Sequence, residues 1–438
     1  MKKLLAILLV GLLVLTGCST KKDEPETLSG NLTIYGLEGG YGKAGWEAVV
    51  EEFEKLYDIE VELVLEKNIG EILRPKVQAD EAPDLVYLAV GSTDGFTDTM
   101  VAEEAILNIE DLLDMTVPGE DVKVKDKVLP GFLDSNRVRP YEDGELYLTP
   151  HFYSPLGMFY NKGLFEAKDW KIPATWDEMF ALGDIAKEEG IALFTYPTTG
   201  YFDGFFASLL NAVVGTDHYN KLMNYDLDAW KDAKTKKAFE IVGKLAEYTH
   251  ENTVAQANSE GFQKNQQLVM ENKALFVPNG TWLPGEMAEA KAPSADGFAW
   301  GLAPVPAIKE GGDRYSSTFT EEVYIPAGAK NVDNAKAFLA FLYSDIAADK
   351  FYNVSDSPAV QPIVGSDKLI PKGDDNEIYY NIYANGAKSN TVGFVAKSVV
   401  PGYKIEDILY ETVNAVVNGD KTVDAWYDEV IEAIGKYN

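Results

Sequence analysis

Along this chain, short runs in which apolar and polar residues alternate give way to runs in which apolar residues recur every three or four positions, and the two patterns trade places repeatedly. NLTIY from Asn31 reads as a strand, and KAGWEAVVEEFEKLY from Lys43 reads as an amphipathic helix with Trp46, Val49, Val50, Phe53 and Leu56 or Tyr57 on its apolar face. Ile59, Val61, Leu63 and Leu65 alternate with Glu60 and Glu62 as a second strand, and DLVYLAV, Asp84 to Val90, follows an Ala-Pro turn as a third. Strand, helix, strand at this spacing predicts a parallel sheet with right-handed crossovers, so the fold class is α/β. Farther on, Pro173 precedes Thr175, Trp176, Asp177 and Glu178, a capping box ahead of Met179, Leu182 and Ile185. Asn334 to Tyr343 places Ala337, Phe338, Phe341 and Leu342 on one helical face. A single core serves roughly 250–300 residues at most, which a chain of this length exceeds, so two domains are expected.

The first residues follow a different rule. Lys2 and Lys3 precede an apolar run from Leu4 to Leu15, too short to span a bilayer, which reads as a signal peptide over residues 1–17. Leu15-Thr16-Gly17-Cys18 resembles the lipobox of bacterial lipoproteins. That resemblance implies acylation of Cys18 and a lipid-anchored position on the extracytoplasmic face of the bacterial cell membrane; the alternative is a plain signal peptide with an incidental cysteine. STKKDEPETLSG has no apolar periodicity, so residues 18–30 are expected to be the lipidated cysteine and a flexible tether.

Composition removes several chemistries. Cys18 is the only cysteine, so the folded body has no intrachain disulfide, thiolate zinc site or thiol nucleophile. The formal charge of −31 becomes more negative still if residues 1–17, with two lysines and no acids, are removed, and such a surface repels nucleic acid. Three histidines, His151, His218 and His250, leave little for a metal cage, and His250-Glu251 lacks the second histidine of a zinc-protease helix because Val254 stands there. No G-x-S-x-G or Walker A sequence occurs, and 70 acids are too many to single out a glycosidase pair. Gly40, Gly42 and Gly45 form G-x-G-x-x-G between the first strand and helix, with Glu66 as a nominal ribose partner. Glu38 in the same loop would oppose a pyrophosphate, so these glycines are read as an open loop at the carboxyl end of a strand, where α/β sheets bind ligands. No cofactor or metal is expected.

Six segments then resemble, in order, the extracellular solute-binding proteins of ABC sugar importers: APDLVYLAV from Ala82, LGMFYNKGLFE from Leu156, PATWDEMFALGDIAKEEGI from Pro173, MENKALFVPNGTWLPG from Met270, EEVYIPAGAKN from Glu321 and NAKAFLAFLYS from Asn334. The resemblance implies a non-enzymatic, monomeric, two-lobe periplasmic-binding-protein-like fold of type II with crossover hinge strands. It implies closure on a carbohydrate and docking on permease subunits that work with a cytoplasmic ATPase. Mapping the crossovers gives a first lobe of 31–152 plus 320–370 and a second of 153–319 plus 371–438.

Binding residues follow from the resemblance and from chemistry. Asn279-Gly280-Thr281-Trp282 follows a strand from Ala274 to Val277, with Gly280 permitting a turn that projects Trp282, where the family commonly places a sugar-stacking tryptophan; the alternative puts Trp282 in packing between the lobes. The expected loop Thr198 to Asp203 offers Tyr201 and Phe202 as rings and Asp203 as a hydroxyl acceptor, or else buried tyrosine packing. Glu38, Tyr87 and Asp94 stand at strand ends of the first lobe. Phe152 and Tyr153 at one crossover, and Glu321 at the other, serve either ligand or hinge. The segments Val86 to Met100 and Leu193 to Phe205 look most similar to the branch that takes up N-acetylglucosamine and its oligomers, with neutral glucose, galactose or xylose oligosaccharides as the alternative. The competing functions are a secreted carbohydrate-active enzyme, a peptide-binding lipoprotein and an adhesin.

Overall fold

Two long adjacent strands join the two halves of the sheet. The computed structural model describes residues 28–39, 41–92, 95–258, 260–289, 291–355, 358–372, 375–395 and 404–437. The signal peptide, Cys18, most of the tether, Gly40 and Asp94 lie outside the described residues. Nine strands are present among those described: β1 (Asn31–Leu37), β2 (Glu60–Glu66), β3 (Leu85–Tyr87), β4 (Leu148–Asn161), β5 (Ala192–Phe194), β6 (Ala274–Gly280), β7 (Trp300–Ala303), β8 (Tyr315–Tyr324) and β9 (Lys388–Thr391). Their order is β2-β1-β3-β8-β4-β6-β5, with β7 beside β4 and β9 beside β8.

The sheet is parallel at both ends, where β1 pairs with β2 and β3 and where β5 pairs with β6, but antiparallel at β3–β8, β4–β8 and β4–β6. The expected parallel pairing holds at the ends, and the middle is antiparallel because β4 and β8 pass between the two halves in opposite directions. Their ladder runs from Leu148↔Tyr324 to Pro155↔Thr318, with one extra residue on β4, His151, between the pairs Pro150↔Glu322 and Phe152↔Glu321.

One hydrophobic cluster gathers around Trp46, Phe53, Phe338 and Phe341, the other around Phe206, Trp230, Phe239 and Trp426. Trp46 is fully buried, its ring centroid 4.7 Å from Tyr87, 4.9 Å from His151 and 5.3 Å from Phe351. The helix Ala44–Tyr57 lies so close to the helix Asp345–Val354 that a Cβ on Gly45 would meet the Ser355 hydroxyl at 2.1 Å. That close approach, rather than a phosphate, accounts for the third glycine of the G-x-G-x-x-G sequence. We propose the crossover pair as the boundary between lobes 31–152 plus 320–370 and 153–319 plus 371–438. Side-chain packing is continuous across it: Val277, Met287, Tyr379 and Tyr380 join the first cluster.

Local expectations are refined in particular places. The helix Trp176–Glu188 is capped by Thr175, whose hydroxyl accepts from the Glu178 amide at 3.3 Å, while the Glu178 carboxylate reaches past the cap to the Ala174 amide at 2.7 Å. Ile185 faces solvent, and Ala186 is buried on that helix instead. The third strand is shorter than its apolar run. After Tyr87 the backbone turns to Glu322, whose carbonyl accepts from Leu88 N at 3.1 Å and whose carboxylate accepts from Val90 N at 2.9 Å.

Candidate functional site

The register of β4 against β8 sorts the crossover residues into two faces. Opposed pairs share a face and successive residues alternate, so Phe152, Ser154, Phe319 and Glu321 point one way and Tyr153, Pro155, Thr318 and Thr320 the other. Contacts agree. Phe152 packs on Tyr41 and Phe351, each 4.8 Å between centroids, and Ser154 Oγ lies 3.5 Å from the Tyr41 hydroxyl. Tyr153 instead packs on Phe132 at 5.0 Å and Tyr380 at 5.2 Å. The face carrying Ser154, Phe319 and Glu321 is the front of the crossover pair.

On the first-lobe side of the front, the Tyr87 hydroxyl donates to the Glu321 carboxylate. Burial pushes the Glu321 carboxyl up to about 7, opposed by that hydrogen bond and reinforced by the neighbouring charge of Glu322. Burial, with the Glu321 charge adding to it, pushes the Tyr41 hydroxyl up to about 12. Glu38, at the end of β1, is half-buried and paired with Lys43 at 3.1 Å.

The second-lobe side is built on two element ends. Thr198 to Asp203 is not a loop: a helix runs from Thr199 to Val214, so its period puts Phe202 into the core against Tyr196 and Phe206 and leaves Tyr201 and Asp203 at the surface of the front. Gly204 meets the Leu156 side chain, where a Cβ would come within 2.7 Å, and this holds the first turns of the helix against β4. β6 delivers Asn279 and Gly280, and Trp282 follows. Gly280 is needed for contact rather than for a turn, since a Cβ there would stand 2.1 Å from the Trp282 ring. The six-membered ring of the indole therefore packs directly against Gly280, with Trp282 37% exposed.

Trp282 sits between two other rings, 6.2 Å from Tyr201 and 5.9 Å from Phe319 at an interplanar angle of 32°. Phe319, 40% exposed on a crossover strand, was not singled out from the sequence. Two-residue alternation back from Glu321 is the signal that places it on the same face. Below the rings lies a cavity lined by Tyr201, Asp203, Gly204, Pro278, Asn279 and Phe319 among others. The Asn279 Oδ1 accepts from the Gly280 amide at 2.8 Å, while its buried Nδ2 has no partner among the described residues. Asp203 accepts from the Gly204 amide, and burial pushes its carboxyl up to about 7.

The front thus brings together Tyr201, Asp203, Asn279, Trp282 and Phe319 on one side and Tyr87 and Glu321 on the other. It does not bring in Phe202 and Tyr153, which are buried elsewhere; Phe152 is buried beneath it, and Asp94 is outside the described residues. Exposed rings beside hydrogen-bond acceptors and an unpartnered amide suit a flat ligand bearing both C–H faces and hydroxyls. Among the described residues no group of three or more His, Cys, Asp or Glu could hold a metal ion, and no helix is long and apolar enough to cross a membrane.

The carboxyl of Asp203 yields a signed expectation. The folded chain binds this proton more tightly than the unfolded one, so ionisation opposes folding as pH rises from 3.8 to about 7, and the cost is complete above that. Asp203→Asn keeps an acceptor for the Gly204 amide and removes the charge. Its thermal midpoint should exceed that of the unsubstituted protein by a few degrees at pH 8 and match it near pH 4; equal midpoints at both pH values would mean that the carboxylate is solvated.

Comparison with known proteins places this architecture. The profile described as "Bacterial extracellular solute-binding protein" matches residues 39–349. The diacetylchitobiose binding protein NgcE of Streptomyces coelicolor is 24% identical over 77% of this chain and 71% of its own. A probable sugar-binding periplasmic protein of Rhizobium meliloti is 24% identical over 83% of this chain and 82% of its own. Among solved structures, the apo form of RafE from Streptococcus pneumoniae superposes with a TM-score of 0.67 at 20% identity, covering 93% of this chain and 98% of that one, which shows the shared two-lobe fold. With most of its length matched by that profile, the chain belongs to the bacterial extracellular solute-binding protein family.

Proposed function

We propose that this protein is the lipid-anchored receptor of an ABC carbohydrate importer and that it captures N-acetylglucosamine oligomers between its lobes. As a member of a solute-binding family it is a binding protein and not an enzyme. The observation that carries the carbohydrate reading is the series of neighbouring rings, half-buried Tyr201 and exposed Trp282 and Phe319, beside the polar groups of Asp203 and Asn279. An aromatic face against the C–H face of a pyranose removes apolar area from water with little loss of rotamer freedom. Three rings in succession offer more platform than one sugar unit covers, which favours a disaccharide or longer.

The acetamido group is supported by Asn279. A buried amide donor without a partner costs on the order of 1–3 kcal/mol, and an acetamido carbonyl would satisfy it while the acetamido N–H donates to Asp203 or Glu321. The methyl would rest on the rings. Among the described residues no Lys or Arg lines the cavity, which disfavours a uronate. A relative named for diacetylchitobiose fits the same reading. The expected anchor is Cys18, and the expected partners are a permease with its cytoplasmic ATPase.

Calorimetry with N-acetylglucosamine, N,N′-diacetylchitobiose, maltose and cellobiose should show tightest binding to the acetylated disaccharide. Trp282→Ala should weaken that binding at least about tenfold, equivalent to about 1.4 kcal/mol, with the fold retained. Tight binding of maltose or cellobiose with silence toward both acetylated sugars would defeat the amino-sugar reading, and unchanged affinity in Trp282→Ala would remove the stacking role.

The anchor has its own measurement. Cys18→Ala should release the protein to the medium or leave it unprocessed; unaltered membrane fractionation would contradict acylation at Cys18.

A further inference from the structure

Glu321 and Glu322 are sequence neighbours that leave β8 in opposite directions. Glu321 faces the front beside Tyr87, and Glu322, fully buried, enters the back of the crossover pair. There its carboxylate accepts from Arg137 Nε at 3.1 Å, from Val90 N at 2.9 Å and from the Thr320 hydroxyl at 2.5 Å. The rest of the Arg137 guanidinium is divided between the two cores. One terminal nitrogen donates to the carbonyl of Val90, a member of the first cluster, and the other donates at 2.9 Å to the carbonyl of Val392, a member of the second.

The backbone on both sides of this side chain turns at a glycine. Gly91 and Gly393 have φ of +77° and +111°, which L side chains rarely adopt, and a Cβ on either would lie 3.7 Å and 3.6 Å from the guanidinium nitrogens. A second tie runs beside the first. Asn136 Nδ2 donates to the Asn220 carbonyl and Asn220 Nδ2 to the Asp134 carbonyl, both at 3.1 Å. Between the two cores at this point lies a small void lined by Val90, Asn136, Arg137, Tyr219, Met223 and Phe394 among others.

We propose that Arg137 is a positioning residue for ligand capture: a brace across the back of the hinge that holds the lobes apart at the front and so sets the affinity for sugar without touching it. In the arrangement seen here, every described residue that lines the small cavity beside Trp282 belongs to the second lobe or the crossover strands. Rotation about the β4–β8 pair that closes the front must widen the back, where the bond to the Val392 carbonyl and the Asn136–Asn220 tie would stretch. This rests on the reading that the lobes close on ligand, and it assigns part of the work opposing closure to one side chain. Loosening the brace raises the fraction of closed molecules, and apparent affinity rises by the same factor.

The test measures the interlobe distance without ligand. Spin labels are placed at Glu71→Cys and Lys237→Cys, exposed on the first and second lobe, in the full chain carrying Cys18→Ser. Arg137→Met with Glu322→Gln avoids a stranded buried charge, and Asn136→Ala with Asn220→Ala removes both bonds of the second tie alone and decides the matter should the first variant not fold. Arg139→Met, which breaks an ion pair to Glu110 on the first-lobe side, is the control for mere loss of an arginine. The expected result is a shift of the distance distribution toward the closed form in the first two variants and none in the control. The dissociation constant for N,N′-diacetylchitobiose should also fall about threefold or more. Folded brace variants whose distribution matches the unsubstituted protein overturn the proposal. A shift in distance with no binding of any sugar in the panel would leave the brace standing and sink the carbohydrate reading instead.

Discussion

The antiparallel pairing of β4 with β8 is the constraint on which the rest depends. It is the element both halves of the sheet share, and its period-two alternation assigns every crossover residue to the front or the back. The extra residue His151 matters here. By shifting the phase of β4 it puts Phe152 opposite Glu321, so Phe152 and Ser154 support the front while Tyr153 packs behind. His151 itself is buried among Trp46, Phe152 and Phe351, and burial holds its ring neutral, well below the usual histidine range.

The second theme is the placement of charge in a chain with a large excess of acid. Most carboxylates are solvated or paired at the surface, where an ion pair such as Lys55–Glu51 contributes little. Three are not. Glu322 is fully buried against Arg137, whereas Asp203 and Glu321 are half-buried, have no cation beside them among the described residues and are pushed up by burial. Groups of that kind raise the cost of an empty cleft and are relieved by a ligand that donates hydrogen bonds to them. The same arrangement disfavours an anionic ligand whatever the net charge of the protein.

Much of the architecture was legible in the residues. The periodicities around Trp46 and Phe338, the cap at Thr175 and the strand leading to Asn279 all appear where the pattern puts them, because each is fixed by local spacing. What was hidden depends on phase or on distant pairing. A loop gives no reason to separate Phe202 from Tyr201 and Asp203, and only the helical period starting at Thr199 sends it inward. Phe319 becomes visible only once β8 is known to continue upstream of Glu321, and Tyr153 only once the bulge sets the phase. Arg137 carries no local signal: its partners Val90, Glu322 and Val392 are far from it in sequence, and two of the three contribute backbone carbonyls.

The central claim is that a sugar is held by both lobes at once, with rings from the second and acceptors from the first meeting over the β4–β8 pair. Small-angle scattering, with and without a saturating amount of whichever sugar binds most tightly, tests it directly. The account predicts a smaller radius of gyration in the liganded protein, as the first lobe swings over the ring platform. A tightly bound sugar that leaves the radius of gyration unchanged would mean that one lobe suffices, and would contradict it.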